Sequence, residues 1–140
     1  RDLLVSTLEG WGEILFHGVQ VKPGRPTLFA KVRGKPLFGM PGPPTSCLIH
    51  TLLFLGPAIR IMGRLRPKPP RTVTAALDRK VSGMKGRRQF LPVLVEAGEA
   101  IPVFKKSGTI TSVAWTDGYI EIPENAESLE KGTTVTVTLF

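Results

Sequence analysis

Lys22-Pro23-Gly24-Arg25-Pro26 sets an ammonium and a guanidinium three residues apart on a stiff loop. Each proline fixes its own φ, and Gly24 allows a sharp turn between the cations. Such a loop presents two positive groups to one anion with little ordering cost. Arg forks onto phosphate or oxyanion oxygens, while Lys acts as a compact point charge. A basic surface turn between strands has the same composition.

A second candidate is Pro41-Gly42-Pro43-Pro44-Thr45-Ser46, which lies between a strand pattern and a long helix pattern. Helix N-termini expose unpaired N–H groups at the positive end of the dipole, which suits anions. The plainer alternative is a rigid strand–helix connection with proline at the first helical position. Asp2 opens the first helix pattern, where an acid is favourable in any case. Ser107-Gly108 reads first as a helix start and second as a loop anion contact. His17 and His50 lie far apart in apolar surroundings and read as core or edge histidines. Lys80, Lys85, Arg87 and Arg88 flank a glycine-containing loop, read first as a solvated hairpin and second as a phosphate contact. No Ser/His/Asp triad, paired-cysteine zinc motif or Walker loop is present.

The elements that must hold these residues fall into two groups. Leu3, Leu4, Thr7 and Leu8 recur at helical spacing, and Gly10 and Gly12 end the run. A strand follows over 13–21. Thr27–Val32 and Lys35–Met40 flank Arg33-Gly34 and predict a hairpin. A long helix from about Pro44 to Gly63 is apolar on nearly every side, which predicts a largely buried helix. Pro57 should kink it by removing the backbone bond to Leu53. Arg64–Arg71 contains three prolines and reads as an extended linker.

Beyond the linker, short Thr/Val-rich segments predict a small β domain. Val73, Ala75 and Leu77 share one strand face, and Val135, Val137 and Leu139 share another. Pro92 within 90–96 suggests an edge or a bulge. Ile110, Val113 and Ala114 fit one short helix. A closed or half-closed barrel would hide the strand edges of so small a sheet. The fold class expected is therefore an α/β part, residues 1–66, followed by a small mostly-β, barrel-like domain, residues 67–140.

Composition narrows the functional classes. The chain is 41% hydrophobic and 21% charged, enough to bury a core. A single cysteine, Cys47, excludes an internal disulfide framework and a Cys-rich metal site. Nothing points to an oxidising compartment, so a cytoplasmic location is expected. The longest apolar stretch, Cys47–Met62, is broken by polar residues and proline, short of the roughly 18 unbroken apolar residues of a membrane span. Arg1-Asp2-Leu3-Leu4 carries neither an initiating methionine nor a signal pattern, and reads as an interior start. The net charge of +8 attracts anions: nucleic acid, acidic lipid or small phosphorylated molecules. Nucleic acid is the weaker choice, because the basic stretches lack interleaved aromatics.

In their order and spacing these residues resemble the MoeA family, which includes the gephyrin E domain. The likeness rests on Asp2, Gly12-Glu13-Ile14-Leu15-Phe16-His17-Gly18-Val19, Lys22–Pro26 and Gly39-Met40-Pro41-Gly42-Pro43-Pro44-Thr45-Ser46. It continues in Ser107–Ile110 and in Asp117-Gly118-Tyr119-Ile120-Glu121-Ile122-Pro123-Glu124. It covers nearly the whole chain. The resemblance implies a molybdopterin molybdenumtransferase of molybdenum-cofactor biosynthesis. Its substrates are adenylated molybdopterin and molybdate, or tungstate, and it uses Mg2+ or another divalent cation. It implies Asp2 and Lys22 as catalytic residues, with Asp2 as the metal contact. Lys22, Arg25, Pro41, Gly42, Pro44, Ser46 and Ser107 would bind the pterin and the oxyanion. It further implies a homodimer, and residues 1–66 as the C-terminal half of a molybdopterin-binding α/β domain, so that the fragment alone is inactive. Two positions depart from the family pattern: Arg25 stands for the usual Lys, and Pro43 for the usual Asn. The alternative is a non-catalytic scaffold of the gephyrin type, in which the β domain binds proteins.

Overall fold

The structure is a computed structural model that describes residues 3–104 and 111–140. Its first element is α1 (Leu3–Leu8), as the leucine spacing predicts. Strands β1 (Gly12–His17), β3 (Leu28–Val32) and β4 (Lys35–Gly39) form a three-stranded sheet in the order β1-β3-β4. Both of its ladders are antiparallel. Arg33 and Gly34 take φ values of 49° and 80° between β3 and β4, the two positive values a tight hairpin turn needs. The Arg33 guanidinium lies 5.1 Å from the centre of the Trp11 ring, a cation–π contact. Leu8, Leu28 and Ala30 are buried where α1 covers this sheet.

The predicted long helix runs without a break through α2 (Pro44–His50), a π-helical stretch (Thr51–Leu55) and α3 (Gly56–Met62). Pro57 has the anticipated effect in an altered form. Its ring would crowd the Leu53 carbonyl and it donates no bond. The turn before it widens instead, and the Gly56 N–H reaches back five residues to the Thr51 carbonyl.

Full burial of this helix is not observed. Thr45, Ser46, Ile49 and His50 are buried, all in the first two turns. Neither of the two later segments has a fully buried residue; Ile59, Ile61 and Met62 are 56%, 76% and 63% exposed. The apolar pattern runs around the whole helix, but the described residues supply a partner for one side only. The uninterrupted-run criterion also understates the segment: Pro44–Met62 is long and apolar enough to cross a membrane by length and composition. Its first turns nonetheless pack against protein, with Ile49 fully buried beside Phe90 and Tyr119.

Residues 65–71 have no regular structure, in line with the prolines. The β domain that follows contains β5 (Thr72–Leu77), β6 (Val81–Ser82), β7 (Arg88–Glu96), β8 (Glu99–Pro102), β9 (Gly118–Ile122), β10 (Ser128–Leu129) and β11 (Thr134–Leu139), with the short helix α4 (Thr111–Ala114) before β9. The order β7-β8-β5-β11-β9 returns to β7 through a β7–β9 ladder, which closes a five-stranded barrel. Closure leaves these strands no free edge. Leu77, Val93, Ile120, Ile122 and Val137 are almost fully buried inside it. Val135 and Val137 point inward while Thr134 and Thr136 face solvent, as the alternation requires.

Pro92 is not on an edge strand, since β7 has neighbours on both sides. Its carbonyl accepts the Val103 N–H. The missing Pro92 N–H faces that same side, where the β8 ladder begins only at Val93. Parallel pairing occurs at β5–β8 and at β2 (Val21–Lys22) with β7, and not within the β1-β3-β4 sheet.

Candidate functional site

The Lys22 loop and the start of α2 meet through His50. Burial lowers the His50 pKa, against the raising effect of its bond to the Pro23 carbonyl, so the ring is neutral near pH 7. The Pro23 carbonyl only accepts, so Nε2 carries the proton and donates across 2.9 Å. Nδ1 then accepts from the Thr27 hydroxyl at 2.5 Å. That hydroxyl also lies 3.0 Å from the Gly24 carbonyl. Both His50 and Thr27 are fully buried. One histidine thus pins the middle of Lys22–Pro26 to the second turn of the helix. Gly24 is required at this contact: its φ is 106°, and an added Cβ would run into the His50 ring.

A second tether comes from the barrel. β2 pairs in parallel with β7, Val21 opposite Arg88 and Lys22 opposite Gln89. Ile49, Phe90 and Tyr119 pack together beside this ladder, with the Phe90 and Tyr119 rings edge to face at 5.6 Å. The helix, the cationic loop and the barrel wall therefore meet at one place.

A cavity of about 430 Å³ opens at that junction. Lys22, Pro23 and Thr45 line one side, and Lys80, Ser82, Gln89, Phe90, Pro92 and Phe104 line the barrel side. Lys80 is ion-paired with Glu130 at 2.7 Å, whereas Lys22 makes no ion pair among the described residues. Thr45 Oγ1 and Gln89 Oε1 are buried without a hydrogen-bond partner among the described residues.

The other sequence candidates are distributed around this junction. Arg25 and Pro26 line a separate depression with His17, Gly18, Val19 and Gln20. Lys22 and Arg25 thus serve different concavities, one on each side of the Gly24 turn. Pro41 is buried, Gly42 exposed and Pro44 half-buried. Ser46 is 2% exposed, and its neighbour Thr45 reaches the cavity in its place. Pro43 caps α2 with no side-chain hydrogen bond, as expected for proline where the family pattern has Asn. Asp2 and Ser107 lie outside the described residues.

No group of three acidic, His or Cys side chains capable of holding a metal ion occurs among the described residues. No divalent-cation step is assigned to them. A larger groove of about 790 Å³, between the later helix turns and Tyr119 and Phe140, contains none of the motif residues.

Gln89 is a cavity residue that the sequence reading does not single out, whereas Lys80, read there first as part of a solvated hairpin and second as a phosphate contact, lines the cavity. The available signal was a Gln inside the apolar strand pattern Phe90-Leu91-Pro92-Val93, since a buried amide needs a partner.

A family model described as the MoeA C-terminal region (domain IV) matches residues 74–140. A putative molybdopterin biosynthesis protein of Methanocaldococcus jannaschii is 37% identical over the whole of this chain and 33% of its own length. A molybdopterin molybdenumtransferase of Staphylococcus aureus is 30% identical over 91% of this chain and 32% of its own length. The chain thus spans about a third of the curated relatives it matches. Two crystal structures of MoeA proteins from Pyrococcus horikoshii superpose with TM-scores of 0.85 and 0.80, at 45% and 34% identity. They align with 99% and 91% of this chain, and with 34% and 32% of their own chains. By sequence and by fold, the chain is similar to MoeA proteins, and residues 74–140 match their C-terminal region.

Proposed function

We propose that this chain is part of a molybdopterin molybdenumtransferase, which inserts molybdate, or tungstate, into adenylated molybdopterin. The carrying observation is the junction cavity, where Lys22 and Thr45 from the first part meet the barrel wall. A cation held by a β ladder on one side and a His50-pinned loop on the other is preorganised for a small anion. Lys22 binds the oxyanion or the pterin phosphate as a point charge. Arg25, one turn away, approaches the substrate from the second depression.

In this reading residues 1–66 are the C-terminal half of an α/β domain and residues 67–140 the barrel domain. The open edges of β1 and β4 and the bare side of the long helix are covered by the remainder of that domain. The protein acts as a homodimer in the cytoplasm, with Asp2 as the contact for a divalent cation. The isolated chain has no insertion activity.

The test is calorimetric titration of the full-length enzyme with molybdate. Lys22→Ala should weaken binding at least tenfold; unchanged binding removes Lys22 from the site. Turnover by the isolated chain, supplied with pterin and molybdate, would refute the expected inactivity.

A further inference from the structure

The cavity makes a chemical demand that a bare oxyanion does not meet. Thr45 and Gln89 are 5% and 8% exposed, and each carries a buried oxygen without a partner among the described residues. A buried polar atom left unpaired costs about 1–3 kcal/mol, and native proteins keep few of them. Here the two residues that carry such atoms, from different parts of the chain, line the same cavity. The register of the β2–β7 ladder sets Gln89 directly opposite Lys22, so the cationic residue and the residue with the unpaired amide oxygen are neighbours across the ladder.

An amide oxygen only accepts hydrogen bonds, while an ammonium only donates them. A fully deprotonated tetrahedral oxyanion satisfies Lys22 and offers Gln89 nothing but lone pairs. The ligand that satisfies both has an anionic group and, within a few ångströms, N–H or O–H donors. Phe90 and Phe104 add apolar surface for a flat ring on the same wall.

We propose that Gln89 determines specificity at this cavity, selecting a phosphorylated heterocycle with ring or amino N–H donors over a bare oxyanion. This rests on the reading of the cavity as the substrate site. It adds a division of labour: Lys22 takes the charge, the Gln89 oxygen reads the donor edge, and the Thr45 hydroxyl, able to donate or accept, serves either ligand.

The experiment titrates the full-length enzyme with three probes: molybdate, sulfate and a pterin monophosphate. Gln89→Leu should weaken the pterin phosphate at least tenfold and leave molybdate and sulfate within twofold. Its thermal midpoint should hold or rise, because an unpaired buried oxygen has been replaced by apolar atoms. A residue that only supported the fold would instead lower the midpoint and weaken all probes together. Gln89→Met, close in shape, carries the same expectation if Gln89→Leu does not fold. Unchanged pterin-phosphate binding in the folded variants overturns the proposal. So does an equal loss for all three probes, since it would mean that the amide presents its NH2 to the anion. Failure of the substrate-site reading looks different: Lys22→Ala leaves molybdate binding intact, whatever Gln89→Leu does.

Discussion

The space that a side chain at residue 24 would occupy is filled by the imidazole of His50. Gly24 turns with a φ of 106°, and His50 bonds to the carbonyl of the residue before it. Loop and helix are fitted to each other at this contact, and Lys22 takes its place from it.

Gly24→Ala should therefore destabilise the protein twice over. The left-handed backbone costs an L-residue about 1 kcal/mol, and the new methyl group meets a buried ring. Urea unfolding should show a loss of about 2 kcal/mol or more. Adding His50→Ala should return part of the Gly24→Ala increment, because the ring it strikes is gone. Strict additivity of the two losses would mean that the residues do not touch.

His50 also predicts a pH dependence. Burial depresses its pKa below the unfolded value of 6.5, so the unfolded chain takes up the proton more readily. The stability gained by keeping the ring neutral is fully present above about pH 6.5. It is lost as the pH falls through the lower folded value. Urea midpoints should drop between pH 7.5 and 5, and His50→Gln should remove part of that slope. A wild-type midpoint that is flat across this range would contradict the assignment.

Ile49 is fully buried between the helix and the barrel, against Phe90 and Tyr119. Ile49→Ala should cost about 2–4 kcal/mol through lost burial and a residual cavity. It should also weaken molybdate binding, because the same junction positions Lys22 against Gln89. A full stability loss with unchanged binding would separate the joint from the site.

The outer face of the long helix leads to the opposite expectation. Ile59 and Ile61 are more than half exposed in this chain. Ile59→Glu with Ile61→Glu should change the stability of the isolated chain by no more than about 0.5 kcal/mol. Light scattering should show less self-association of that chain. In the full-length protein the same pair should be strongly destabilising. A neutral result there would mean that nothing covers this face.

Much of the local architecture was legible in the residues themselves. Leucine spacing marked α1, Arg33-Gly34 marked the hairpin, three prolines marked the linker, and Thr/Val alternation marked β11. Each follows from backbone geometry within a few residues, so the sequence alone determines it. The motifs of the cationic loop and the Pro-rich helix entry were also visible, and with them the likeness to MoeA proteins.

Three things were decided only by tertiary structure. Lys22 and Arg25 sit three residues apart, yet the Gly24 turn sends them to different concavities. The helix is apolar all round, but how much of it is buried depends on what the chain provides as a neighbour. Gln89 carries no motif of its own, and only the β2–β7 ladder sets it opposite Lys22 across a gap of 67 positions in sequence. Contacts between residues so distant in sequence depend on how separate elements pack, and no local pattern of residue types encodes that geometry.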